Sequence, residues 1–312
     1  MVMTRDPCPV TRAPGHFNSG TPVEQRYCLI TPAYNEEANL PRLVRSVTAQ
    51  TIPPVLWVIV NDGSQDGTGR LLEELAREVP CVQPIHRTRD QSGTYYRRKI
   101  AAFEQGYRRV QETGAAYAFL GNLDADISMR PDYYESMLRA FSENPRLGIA
   151  GGAYAFDGTV HRPILHKNAI PGSILMFRRE CFEAIGGYLP LPYGGEDTLA
   201  CLMARVGGWE TGFFPQHVVT QHRVVGTAEN TGILKARFRQ GLSEYELGYH
   251  PLFSFIKCLR RCLIERPRVV GSVARYLGYL CGAFVIKDSP CPPAARALLR
   301  KEQWQRIFPG QA

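Results

Sequence analysis

The chain has 312 residues, 44% of them hydrophobic and 21% charged, enough to bury a large α/β core and too balanced for a collagen, a mucin-like stalk or a wholly disordered protein. Its formal charge is +8, and the whole excess lies from Pro251 onward, where eleven Lys and Arg face three acids. That asymmetry predicts a polyanionic partner, an anionic membrane surface rather than nucleic acid, because no nucleic-acid recognition motif accompanies it.

The nine cysteines are odd in number and form no CxxC pair. A disulfide framework or zinc site is not expected, and a reducing compartment is the simpler reading. The first 26 residues hold four prolines and no apolar run of signal-peptide length, so residues 1–25 read as a disordered tail.

From there, apolar runs alternate with helical patterns, the signature of a mostly parallel sheet flanked by helices. Tyr27 to Ala33 is the first strand; Asn35 is the expected N-cap of a helix carrying Leu40, Leu43, Val44 and Val47. Val55 to Val60 is the second strand, followed by a turn at Asn61 to Ser64 and a helix carrying Leu71, Leu72, Leu75 and Val79. A third cycle runs from Val82 to His86 into a helix near Tyr96 to Gln111, and a fourth strand, Tyr117 to Leu123, ends on Asp124-Ala125-Asp126. After that the regular winding stops. Ligands of such sheets bind beyond the carboxyl ends of the strands, so residues 33–37, 61–64, 86–93 and 124–126 are expected to converge on one crevice.

Two carboxylates one residue apart at a strand end, Asp124 and Asp126, suit a Mg²⁺ or Mn²⁺ ion that completes its shell with phosphate and water; an acidic turn capping the helix near Pro131 is the plainer alternative. Asn61-Asp62-Gly63-Ser64 is either a tight turn or a carboxylate that accepts a base N–H. Gly194-Gly195-Glu196-Asp197 precedes a helical pattern, where acids suit the helix dipole, yet a carboxylate on a glycine-flexed loop is also what deprotonation of an attacking hydroxyl requires. His222 is a candidate for a metal shell or a structural histidine.

The succession Thr31-Pro32-Ala33-Tyr34-Asn35-Glu36-Glu37, Asn61-Asp62-Gly63-Ser64, Asp124-Ala125-Asp126, Gly186-Gly187-Tyr188, Glu196-Asp197 and His222 resembles glycosyltransferase family 2, over about residues 26–225. The resemblance implies a GT-A fold and an inverting, metal-dependent transfer of one sugar from a UDP, GDP or dTDP sugar to a hydroxyl of a glycan or lipid-linked acceptor. It also implies roles. Ala33, Tyr34 and Glu36 line the nucleotide pocket, Asp62 holds the base, Asp124 and Asp126 hold ribose and metal-bound diphosphate, His222 completes the metal shell, and Asp197 is the general base on an acceptor loop with Gly195 and Glu196. The third loop departs from the family's Asn-Gly pattern: Arg89-Asp90-Gln91-Ser92-Gly93 leads to Arg97, Arg98 and Lys99, basic candidates for the diphosphate. The Gln-x-x-Arg-Trp signature of processive synthases is absent, its nearest segment being Arg237-Phe238-Arg239-Gln240-Gly241.

The expected organisation is a nucleotide-sugar half at 26–127, an acceptor half at 128–235 and a basic helical extension at 236–312. Within the extension Val269 to Ile286 is borderline for a span and interrupted by Arg275 and glycines. It is read as a helix lying on the cytoplasmic face of a membrane, the alternative being a helix packed on the catalytic domain. Two further functions compete: transfer to a polyprenyl phosphate, whose oxygen needs no base, and a non-catalytic sugar-nucleotide-binding scaffold.

Overall fold

The computed structural model describes residues 22–161, 170–223, 232–264 and 267–308. Nearly all of the expected tail, and Glu265 and Arg266 of the basic segment, lie outside them.

The first four cycles fold as β1 (Tyr27–Ala33), α1 (Leu40–Thr48), β2 (Leu56–Asp62), α2 (Thr68–Glu78), β3 (Val82–Arg87), α3 (Tyr95–Glu112) and β4 (Phe119–Asn122). β5 (Ile127–Ser128), α4 (Tyr133–Glu143), β6 (Leu147–Phe156), β7 (Thr159–His161), β8 (Met176–Arg178), α5 (Arg179–Ala184), α6 (Glu196–Val206) and β9 (Glu210–Gln221) follow. Four helices close the chain: α7 (Ile233–Glu246), α8 (Pro251–Ile264), α9 (Arg268–Val285) and α10 (Pro293–Ile307).

The strands form one sheet in the order β3-β2-β1-β4-β8-β6-β9-β5, with β7 paired to β6. β3, β2, β1 and β4 are mutually parallel, whereas β8 runs against both β4 and β6. This is the mixed α/β architecture expected, with the regular winding broken after β4. Strands covered on both faces need apolar side chains on both, and β1 and β2 supply them. Tyr27, Leu29, Trp57 and Ile59 enter the core on one face; Cys28, Ile30, Val58 and Val60 enter the core on the other.

Helix α1 starts later than its sequence suggests. Asn35 is not its cap but sits at φ 54°, with its N–H donated to Ser64 Oγ (3.0 Å) and its Oδ1 accepting from Gln65 N (2.8 Å). A left-handed Asn tolerates that backbone and ties the loop after β1 to the loop after β2. Residues 36–39 form a turn closed by Asn39 N donating to Glu36 O (2.9 Å), and α1 begins at Leu40.

The C-terminal helices build a third core with the loop before α6, centred on Leu191, Leu199, Leu247, Tyr279 and Leu299. α7 and α9 cross backbone to backbone: a Cβ placed on Gly241 would lie 1.9 Å from Arg275 O, and one on Gly278 would lie 2.0 Å from Phe238 O. Beside that crossing, buried Glu244 accepts from Lys257 Nζ (2.8 Å), Arg275 Nε (2.7 Å) and Ser254 Oγ (2.9 Å). Burial favours the neutral acid, but Arg275 and Lys257 outweigh it and hold Glu244 far below the usual carboxylate range. Two of the cations counted on for a polyanionic partner are therefore turned inward.

Candidate active site

The strand ends do converge. A cavity of about 350 Å³ is lined by Ala33, Tyr34 and Glu36 after β1, Asp62 at the end of β2, and Asp124 and Asp126 after β4. α3 contributes Tyr95, Tyr96 and Lys99, and the start of α6 contributes Gly195, Glu196 and Asp197. Gln221 enters from the end of β9, Arg223 from two residues beyond it, and Arg239 from α7.

One end is set by Asp62, 4% exposed, which is paired with Arg89 (2.6 Å) and Arg87 (3.3 Å). The Arg89 guanidinium lies 3.4 Å from the centre of the Tyr34 ring, a cation–π stack. Desolvation still raises Asp62 against the pull of both arginines.

In the middle, Lys99 Nζ meets Asp124 Oδ1 at 2.7 Å, and Arg223 donates to Glu36 Oε2 at 2.7 Å. Burial pulls the Lys99 ammonium down, yet Asp124 outweighs it and keeps the group firmly charged. The Asp126 carbonyl accepts from His222 N (2.8 Å), but its carboxylate has no ion-pair or hydrogen-bond partner among the described residues. Its burial, then the charges of Asp124 and Glu36, push it up to about 7.

At the start of α6, Asp197 Oδ1 accepts from Thr198 N at 2.7 Å, and burial raises its pKa. Glu196 Oε2 is buried without a hydrogen-bond partner, and desolvation, then Asp197, bring Glu196 to about 7. The loop bearing them leans on α7, where Ser243 Oγ donates to Gly194 O. Gly172 makes room for Asp197: a Cβ there would stand 2.7 Å from Asp197 Oδ2.

Three expected site residues lie elsewhere. His222 does not line the cavity; its Nε2 meets Ser128 Oγ at 2.9 Å. Side chains alternate along extended chain, so Gln221 and Arg223 share the cavity face and His222 takes the other. Arg97 and Arg98 are also off the lining, Arg98 NH1 being bonded to Gly93 O. Tyr95, Lys99 and Ala102 recur at helical spacing and form the cavity face of α3. Sequence reasoning passed over Arg223, Tyr95 and Tyr96, and did not single out Arg239, whose guanidinium stands 5.0 Å from the Tyr96 ring. The two periodicities would have found Arg223 and Tyr95, whereas Arg239 depends on how α7 folds back.

Among the described residues no group of three or more His, Cys, Asp and Glu is arranged to hold a metal ion. Asp124 and Asp126 nevertheless fit a hard divalent cation, which takes one or two protein carboxylates and otherwise phosphate and water. The unpartnered Asp126 carboxylate is the group such a charge would relieve.

The crevice at the strand ends of this mixed sheet is thus lined by carboxylates from the ends of β1, β2 and β4 and from the start of α6. The model of the family described as glycosyl transferase family 2 matches residues 28–192, over half of the chain. The chain belongs to that family. It is 38% identical over 171 residues to a polyprenol monophosphomannose synthase of Mycolicibacterium smegmatis, covering 53% of this chain and 60% of that protein. With an undecaprenyl-phosphate mannosyltransferase of Micrococcus luteus it shares 35% identity over 116 residues, 37% of this chain and 44% of that one. It thus spans less than two thirds of either relative. Its fold is also that of the mannosyltransferase PcManGT from Pyrobaculum calidifontis, solved with GDP-Man and Mn²⁺, at TM-score 0.55 and 16% identity over 92% of this chain and 88% of that one.

Proposed function

We propose that the chain transfers one sugar, with inversion, from a nucleoside-diphosphate sugar to a hydroxyl of a lipid-linked glycan at the cytoplasmic face of a membrane. The observation that carries this reading is Asp197: a carboxylate of raised basicity that lines the same cavity as Asp124 and Asp126. The acceptor hydroxyl attacks the anomeric carbon as its bond to the diphosphate oxygen breaks, and Asp197 takes the proton. A single displacement needs no covalent enzyme intermediate.

Ala33, Tyr34, Glu36 and Asp62 hold the nucleoside, with Arg89 at the same end, and Asp124 the ribose. Lys99, rather than Arg97 or Arg98, serves the diphosphate. Asp126, with Asp124, would hold Mg²⁺ or Mn²⁺, which supplies positive charge to the leaving diphosphate. His222 has no part in that shell, and Gly195 and Glu196 shape the acceptor side.

A second reading, transfer to a polyprenyl phosphate, is favoured by the likeness to the polyprenol monophosphomannose synthase and the undecaprenyl-phosphate mannosyltransferase. The non-catalytic scaffold is not carried forward, since Asp62, Asp124, Asp126 and Asp197 all line the one cavity. Asp197→Asn separates the two that remain. Loss of transfer by about 10²-fold or more, with UDP, GDP or dTDP still raising the melting temperature in the presence of Mn²⁺, supports the hydroxyl acceptor. Full turnover by Asp197→Asn supports the polyprenyl phosphate.

A further inference from the structure

The faces of α8 and α9 that turn away from the Glu244 network are apolar and open to solvent. On α8 the exposed side chains are Leu252, Phe255, Ile256, Leu259 and Leu263; on α9 they are Val270, Val273, Leu277, Leu280 and Phe284. Intervals of three and four residues put each set on one helix face. The rings of Phe255 and Tyr276 meet at 5.5 Å and join the two stripes. Exposure reaches 79% at Leu263 and 85% at Phe284. Single exposed apolar residues are ordinary, but a two-helix face of them marks an interaction surface.

We propose that this face docks on an anionic lipid bilayer, its apolar side chains entering the headgroup–acyl boundary without crossing. The proposal deepens the reading above, on which it rests only for the lipid-borne acceptor. Every charged residue of both helices is basic: Lys257, Arg260, Arg261, Arg268 and Arg275. Lys257 and Arg275 face Glu244, while Arg260 and Arg268 are exposed. A second copy docked through the same face would bring arginine toward arginine, whereas anionic headgroups offer the opposite charge. No helix of the described residues is long and apolar enough to cross a membrane, so the helices lie along the surface. With two cations turned inward, apolar burial carries more of the binding than the +8 of the segment suggested. Helix α7 links this face to the cavity, since it packs on α9 and carries Arg239 to the cavity lining.

Flotation of the full chain with phosphatidylcholine vesicles, with and without about one third phosphatidylglycerol, tests this. Wild type is expected to float with the anionic vesicles. Leu263→Gln with Phe284→Gln should lower the partition coefficient at least about tenfold, because two large side chains no longer leave water. Arg260→Gln with Arg268→Gln should weaken binding only on phosphatidylglycerol, by roughly fivefold per charge. All of these side chains are exposed, so the melting temperature and the nucleotide shift with Mn²⁺ should stay at wild-type values. Wild type that does not float, or a Leu263/Phe284 variant that floats equally well, overturns the docking face. So does a dimer in sedimentation that this variant abolishes while vesicle binding persists, since a second copy is then the occupant. A nucleotide shift without flotation removes the docking face alone; flotation without any nucleotide shift sustains it and counts against the catalytic reading.

Discussion

Two buried groups of charges in this molecule are built in opposite ways. In the helical C-terminal region one carboxylate, Glu244, is held between Lys257 and Arg275, and its pKa falls. In the cavity, the Asp126 carboxylate and Glu196 Oε2 have no hydrogen-bond partner among the described residues, and the two pKa values rise to about 7. The first arrangement is electrically closed and serves packing. The second is left short of positive charge and of protons, the condition of a site that a cation, a substrate or a transferred proton completes.

Removing the keystone of the closed group should have the largest effect. Glu244→Gln strands Lys257 and Arg275 in the helical core and is expected to cost about 3 kcal/mol or more of stability, read as a fall in melting temperature. Nucleotide binding at temperatures where the variant is folded should be retained, because Glu244 does not line the cavity. An unchanged melting temperature would erase the contrast between the two groups.

Next comes Gly172→Ala, where the added methyl collides with the Asp197 carboxylate. It should lower kcat by about 10- to 100-fold through misplacement of that carboxylate, with nucleotide affinity kept. Equal activity would place Asp197 outside the chemistry.

The subtlest effect is a slope. Glu196 titrates in the folded chain near 7, above its ordinary value of about 4.5, so the stability it contributes is present below that value and lost as pH rises through 7. Melting temperature should therefore decline across this window, and Glu196→Gln should flatten the decline. A steeper decline in the variant would show that Glu196 is ionised at low pH after all.

The N-terminal half was legible because its information is local. Apolar runs set β1 to β4, and the motifs at their ends supplied Tyr34, Glu36, Asp62, Asp124 and Asp126 to the cavity. What escaped was whatever depended on side-chain direction or on the return of the chain. His222 and Arg223 are neighbours in sequence but face opposite ways, and Asn35 trades a helix cap for a bridge to Ser64 and Gln65. Arg239 reaches Tyr96 across 143 positions of sequence, a distance that no local pattern spans. In the basic C-terminus, charge could be counted but its direction could not, and Glu244 turned two of those charges inward.

The glycine crossing of α7 on α9 bears on how the outer surface and the cavity communicate. Where side chains interdigitate, helices can slide by swapping rotamers; here main chain rests on main chain, and no such slack exists. The two helices are thus fastened side by side, from Arg237 against Gly271, through Gly241 and Gly278, to Tyr245 against Gly282. A displacement imposed on α9 from outside would therefore carry α7 with it, and with α7 go Arg239 and the Ser243 support of the Gly194-Gly195 loop.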